Sequence, residues 1–446
     1  MSERVRVGAG AGYAGDRWDP ALELAEKGGL DFLAFECLAE RTIARENLAR
    51  LHDETLGYNP LLAERVRAVL PTCIANGVRV ITNMGAANPI GAAKRICEIA
   101  AEEGVAARVA VVLGDDVREA VAGMPELELM ETGEPLESIL PRMASANAYL
   151  GADAIVAALE TGAEVVVTGR VADPSLFLAP MIHQLGWDYD DYDRLADGTV
   201  AGHLLECAGQ VTGGYFADPG KKDVDGLARL GFPFAEVSRD GAIVLGKVDG
   251  SGGRLDEMTC AEQLLYEIHD PANYITPDCV LDVTDVGFEV AGADRVRVSG
   301  ARARPRTATY KVSVGYFDGY IGEGQISYGG INATARARLA GEVARERLAM
   351  RGFTYDELRV ELIGVESLHG PGKGRPEPYE TRLRVAGRTR DRKAAEAVGL
   401  DLETLLTNGP AGGAGDFKAV REIFAVQSVL LPRELVSPYV ELEQAA

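Results

Sequence analysis

Between residues 4 and 170 short apolar runs alternate with stretches of helical periodicity, and no other feature restricts the fold as strongly. Five runs read as strands, at residues 5–7, 32–36, 78–83, 108–113 and 164–168. Each is brief and apolar or β-branched, as strands covered on both faces are. Helices are expected to start near Pro20, Leu61, Pro89 and Ser145. Asp19-Pro20 and Asn88-Pro89 read as Ncap–N1 pairs, because proline at N1 gives up an amide that has no partner inside the helix. Strand and helix in strict alternation build a mostly parallel sheet.

After about Gly213 the texture changes. Strands now cluster at 234–248, 279–298, 307–317 and 320–328, which reads as α+β. Asp318-Gly319 between the last two predicts a two-residue hairpin. A long helix is expected over 332–351, strands over 358–363 and 379–385, and a final helix over 417–425. The expected fold class is therefore α/β, with an N-terminal half of βα units around a mostly parallel sheet (1–213) and an α+β half (214–446) packed against it. A chain of 446 residues is long enough for two domains.

Charge and apolar runs exclude several classes. The chain has 46 basic and 68 acidic side chains, a net charge of −22, whereas nucleic-acid binding needs clustered cations. No uncharged apolar run approaches the roughly 20 residues of a membrane span. The first residues lack the apolar core of a secretion signal. A cytoplasmic protein without nucleic-acid or membrane partners is expected. Six cysteines are scattered without a C-x-x-C pair, as reduced thiols would be.

Several motifs could carry chemistry. Gly10, Gly12 and Gly15 form G-x-G-x-x-G directly after the first strand, and Glu36 ends the second, where a dinucleotide fold places its ribose-binding acid. The fingerprint needs a helix that begins within the glycines, however, and Asp19-Pro20 starts it later. A ligand-lining glycine loop is the reading retained, beside the plainer one of a sharp turn. Other strand ends add Glu40 and Arg41, Asn83, Asp115, and Arg170 with Asp173 to the same sheet edge, where open α/β sheets bind ligands. Each could equally be a cap or a surface ion pair.

His203, Glu206 and Cys207 share one face of an expected helix over 200–209. Acid/base chemistry is the leading reading of that face. A metal is weaker, since the chain has five histidines and no H-x-x-x-H, and a satisfied half-buried histidine is the plain alternative. Further polar glycine-rich stretches contribute Gln210, Glu323, Gly412 and Gly413, the last two in NGPAGGAGD before the expected final helix, whose N-terminus would favour an anion. His369 in ESLHG follows a strand end and joins the acid/base candidates. No G-x-S-x-G elbow or Ser-His-Asp order supports a covalent serine mechanism.

The blocks GAGAGYAGDRWDPALELAEKGGLDFLAFECLAERTIA, ITNMGAANPIGAA, SANAYLGADAIVAAL, VVVTGRVADPSLFLAP, GHLLECAGQVTGGYFADPG, YIGEGQISYGG and TNGPAGGAGD resemble the acyclic terpene utilization family, the AtuA-like proteins. The resemblance runs from about Val5 to Tyr439. It implies work on branched acyl-CoA thioesters, since the family takes its name from a bacterial gene cluster that degrades acyclic terpenoids by way of such esters. Longer members carry a further ferredoxin-like domain, so a small ferredoxin-like partner chain is implied here as an alternative to working without one.

Together these readings give an acid/base enzyme of hydratase, lyase or isomerase type acting on a branched acyl substrate. Glu36, Asp173, His203 and Glu206 are the expected proton carriers. Gly10, Gly12, Gly15, Arg41, Asn83, Arg170, Gln210, Glu323, His369, Gly412 and Gly413 are the expected binding residues. A coenzyme A thioester is the expected substrate, with no resident cofactor or metal, and the chain is expected to form a homo-oligomer. The alternatives are a non-catalytic subunit of an acyl-CoA complex and a metal-dependent hydrolase or lyase.

Overall fold

The computed structural model describes residues 2–370 and 376–444. The chain begins β1 (Arg4–Ala11), α1 (Asp19–Lys27), β2 (Phe32–Phe35), α2 (Glu40–His52), α3 (Leu62–Asn76), β3 (Arg79–Thr82), α4 (Pro89–Glu102) and β4 (Arg108–Leu113). It continues through a short helix α5 (Arg118–Ala122), β5 (Met143–Ala148), α6 (Ala152–Glu160), β6 (Val165–Thr168), α7 (Ser175–Leu185) and α8 (Tyr192–Glu206). The apolar runs pair in parallel as β1, β2, β3, β6 and β4, and all four residues of β2 and of β6 are buried. The mixed α/β class read from the sequence is the one found.

This parallel core lies inside a ten-stranded sheet ordered β11-β12-β8-β7-β1-β2-β3-β6-β4-β18. Its outer members are β7 (Pro233–Ser238), β8 (Ile243–Lys247), β11 (Gly287–Gly292), β12 (Arg295–Ser299) and β18 (Tyr439–Gln444). Because β7 pairs antiparallel with β1, and β18 with β4, chain beyond residue 213 completes the N-terminal sheet. The helix α9 (Glu257–Leu265) and a small sheet of β9 (Tyr274–Ile275), β10 (Cys279–Asp282) and β13 (Arg302–Pro305) belong to the same compact unit, Met1–Gly315 with Val426–Ala446.

The second unit, Tyr316–Ala425, is built from β14 (Thr309–Gly329), α10 (Ala333–Met350), β15 (Glu357–Ile363), β16 (Glu380–Thr389), α11 (Arg392–Glu403), a one-turn α12 (Leu405–Asn408) and β17 (Ala414–Pro432). Two of its strands thus begin or end outside it. The strand order β15-β16-β14-β17 with a helix after the first and third strands is the split βαβ arrangement of ferredoxin-like folds. One face of this sheet packs Ile326, Tyr328, Leu383 and Val385 with Ala337, Ala344, Val398 and Leu402 from the two long helices.

Three local expectations are corrected. Residues 143–148 form β5, and the helix expected near Ser145 starts at Ala152. Asp318-Gly319 makes no hairpin, because β14 runs straight through it. Gly319 takes φ +95° within the strand, and a Cβ there would stand 2.5 Å from the carbonyl oxygen of Thr389. Residues 417–425 belong to β17 rather than a helix, so no helix N-terminus follows Gly412 and Gly413. The segment serves as the edge strand of a sheet, and that pairing overrides its helix-compatible composition.

Candidate active site

The carboxyl ends of the parallel strands deliver their following residues to one edge. After β2 comes Glu36, whose Oε1 accepts from the Leu38 amide (2.7 Å) and from Asn83 Nδ2 (3.1 Å). Asn83 Oδ1 in turn accepts from the Cys37 amide, so Asn83 clamps the turn that presents Glu36. After β6 comes Gly169, where a Cβ would sit 2.7 Å from the Asp115 carboxylate oxygens, and only glycine fits. Asp115, which follows β4, accepts from the Arg170 amide (2.9 Å) and from Asn147 Nδ2 (2.9 Å), and burial pushes its carboxyl up to about 6.

These contacts aim the Arg170 guanidinium into the acid cluster. It is 1% exposed, lies 4.0 Å over the Tyr149 ring and donates from Nη2 to Asp173 Oδ1 (2.6 Å). Its Nε and Nη1 are buried without a partner. The Tyr149 hydroxyl donates to Glu40, which also receives Lys311 Nζ at 3.2 Å. Burial favours the neutral form of Glu40, but the charge of Arg170, the Tyr149 hydroxyl and Lys311 together prevail and hold its carboxyl down to about 2.

On α8, His203 and Glu206 stand three residues apart, with Nδ1 and Oε1 2.8 Å from each other. His203 Nε2 lies 3.0 Å from the Leu264 carbonyl oxygen, which can only accept, so Nε2 carries hydrogen. The 2.8 Å contact then holds one shared proton, on the imidazole or on the carboxyl. Burial alone would lower the His203 pKa, and the Glu206 carboxylate with its hydrogen bond raises it. Glu206 Oε2 is buried and unpartnered.

Two cavities share the side chains Glu40, Asp173, Glu206 and Glu267. The smaller, about 390 Å³, has an apolar wall that includes Met130, Ile275, Pro277 and Leu430. The larger, about 570 Å³, is lined by Gly12, Asp16, Arg17, Glu36, Gln210 and the rings of Tyr13, Tyr215 and Tyr266. Asp173 faces both with about a third of its side chain exposed (32%). Burial, reinforced by the neighbouring Glu36, Glu206 and Glu40 charges, pushes its carboxyl well above the usual range despite Arg170. Glu267 and Tyr215 adopt φ +62° and +64°, conformations that side chains rarely take and that strained sites retain.

Of the residues expected from the sequence, Gly12, Glu36, Asp173, Glu206 and Gln210 line the cavities, while Asn83, Arg170 and His203 bond to members of that set or stand beside them. Gly10 instead lies in β1 under the Phe35 ring, where a Cβ would meet it at 2.7 Å, and Gly15 packs against Tyr13. Arg41 is exposed outside both cavities. Glu323, His369, Gly412 and Gly413 lie in the second unit, with Glu323 paired to Arg384 (2.9 Å) and His369 exposed in a turn. Tyr149, Glu267, Tyr274 and Lys311 are lining residues that no motif announced, although Glu267 has a neighbour in Tyr266.

The glycine run does not form a pyrophosphate cradle. α1 starts four residues after Gly15, and the Gly12 amide donates to Asp16 Oδ2 (2.9 Å). A Cβ on Gly12 would stand 2.4 Å from the Cys207 carbonyl carbon, so this glycine lets β1 abut the end of α8. Burial pushes the Cys207 thiol up, away from the thiolate a nucleophile needs. All six cysteines are free. Among the described residues no group of three His, Cys, Asp or Glu has the geometry to hold a metal ion, and no helix is long and apolar enough to cross a membrane.

Glu36 makes a pH-dependent contribution to stability. Burial raises its pKa to about 7 from the ordinary 4.5, outweighing the Leu38 amide, Arg170 and Asn83. A carboxyl raised on folding stabilises fully below the unfolded pKa, and the contribution is lost as pH rises through the folded one. Relative to Glu36→Gln, the wild type should lose about 3 kcal/mol of unfolding free energy from about pH 4.5 to above pH 7. Denaturant titrations across that range check it; parallel curves for the two proteins would refute it.

A family model described as acyclic terpene utilisation family protein AtuA matches residues 5–442. Neither the curated proteins nor the solved structures contain a match to the chain.

Proposed function

The chain belongs to the acyclic terpene utilisation family, and on that basis and on the acid cluster we propose that it is an acid/base enzyme adding or removing water at a branched acyl thioester. The observation that carries this reading is Asp173 and Glu206 facing the same two cavities with unlike proton supplies. Asp173, whose carboxyl is raised well above the usual range by burial, serves as the acid. Glu206 takes a proton from the carbon next to the carbonyl as the shared proton settles on His203 Nδ1, which leaves a neutral carboxyl beside an imidazolium. The Arg170 guanidinium, bonded to Asp173 beside the cavities, lends positive charge as the carbonyl oxygen gains negative charge. In the dehydration direction the C–H pair collapses to the double bond, and the hydroxyl leaves as water with the Asp173 proton.

The apolar wall of the smaller cavity suits a branched chain, and the carboxylates favour an ester over a free acid. Glu36, Glu40, Asp173, Glu206 and Glu267 line these cavities and outnumber the cations Arg17 and Lys311 with Arg170 beside them, so a free carboxylic acid would add a further acidic group. A thioester brings an uncharged carbonyl to the same place.

The test is thermal stability against branched enoyl- and hydroxyacyl-CoAs, the matching free acids and coenzyme A alone. A ligand at 100 times its dissociation constant adds about 2.7 kcal/mol. Stabilisation by the thioesters and not by the acids is expected, followed by a mass change of one water on incubation. Absence of any shift across the thioesters would overturn the reading.

A further inference from the structure

Among the described residues no further strand pairs with the first twelve residues of β17 on the side away from β14. In the order β15-β16-β14-β17 this strand is terminal, and among the described residues no main-chain hydrogen bond reaches residues 414–425 from any segment outside the sheet. Most of those residues are exposed, and no proline occurs before Pro432. Phe417 (49%) and Val420 (37%) are among the exposed apolar side chains. A groove lined by Leu400, Gly399, Lys418, Ala419 and Val420 runs between α11 and this edge. Charged side chains such as Asp416, Lys418, Arg421 and Glu422 keep a free edge from pairing at random, and leave open a partner strand whose charges match them.

We infer that two copies of this chain join antiparallel through β17, with Val420 opposite Val420, so that the two sheets become one. The sequence DFKAVREIF is self-complementary in that register. Lys418, which also pairs with Glu403 of its own chain (2.5 Å), faces Glu422 of the other copy, twice by symmetry, and Phe417 faces Ile423, also twice. Residues directly opposite in an antiparallel pair share a face, so each match is a cross-strand contact. A shift of two residues between the copies sets Asp416 against Glu422, or Lys418 against Arg421 after one, and like charges oppose it. A C2 interface of this kind is closed, which ends growth at two chains. The inference is independent of the reaction proposed above, since every residue in it belongs to the second unit.

Light scattering after size exclusion tests it on the full chain. The wild type is expected at twice the 47.4 kDa chain mass. Glu422→Lys, at an exposed residue, puts a second cation opposite Lys418 in both symmetric pairs and should weaken the dimer by at least about tenfold. Lys418→Glu combined with Glu422→Lys, with Glu403→Gln to remove the acid that Lys418 meets within its own chain, restores opposite charges and should restore the dimer. A variant that merely damaged the fold would gain nothing from the added substitutions, and far-UV circular dichroism reports on that. A monomeric wild type, an oligomer that Glu422→Lys leaves intact, or a triple variant that stays monomeric would each overturn the inference.

Discussion

Arg170→Met is expected to remove about 3–5 kcal/mol of stability at neutral pH, the cost of deleting one partner of a buried ionic network. The guanidinium is 1% exposed, and it faces Asp173 by a hydrogen bond and Glu40 and Glu36 through space. Without it, Glu40 loses the largest influence that keeps it ionised against burial, and the cluster has to take up protons or water. The cost should therefore shrink at lower pH, where the remaining carboxyls are neutral. Arg170→Lys should recover only part of it, because an ammonium lacks the planar fork that stacks on Tyr149 while donating to Asp173. Both tryptophans, Trp18 and Trp187, belong to the first unit, so denaturation followed by their fluorescence reads the unit that contains Arg170. A loss below about 1 kcal/mol would equate the cluster with an exposed ion pair and refute its buried character.

The difference between what the sequence disclosed and what it concealed follows burial and distance along the chain. Runs such as VVVT and VAVVL announce parallel strands because both faces must be apolar. The segment MASANA does not, since its small residues fit helix and strand alike, and only its place in the fold decides. Residues 417–425 mislead for a different reason. At a sheet edge both faces meet solvent, so charged side chains interrupt the alternation that marks a strand. Asp318-Gly319 has the composition of a turn, yet the same left-handed glycine serves as an irregularity inside β14. At the site, strand-end acids were legible one at a time as polar residues after apolar runs. Their joining was not: Glu36, Arg170, Glu206 and Glu267 come from four distant segments, and no local pattern records which carboxyls lose water when these meet. The strained backbone of Glu267 likewise has no signature in its side chain.

Under the proposed mechanism Asp173→Asn should lower kcat on an acyl thioester by about 10²–10⁴-fold, the range that positioned acid/base groups contribute. The substitution is close to isosteric, and its amide oxygen can still accept from Arg170 Nη2. The neutral amide also matches the protonated acid in charge, so binding and KM should change little while proton donation is lost. The pH profile separates this from a packing defect. In the wild type, activity is expected to fall on the alkaline side as the raised acid deprotonates, and Asp173→Asn should erase that limb. Glu206→Gln, which removes the base coupled to His203, should erase the acidic limb instead. Glu40→Gln should leave both limbs in place, because that carboxylate is held ionised down to about 2 and has no proton to exchange in the working range. If Asp173→Asn kept the wild-type kcat, the acid would be elsewhere in the cluster and the assignment of roles would fail, even with thioester binding intact. If it lost activity while keeping the alkaline limb, Asp173 would act by shaping the cavity where the two spaces meet, and a different carboxyl would have to supply the proton.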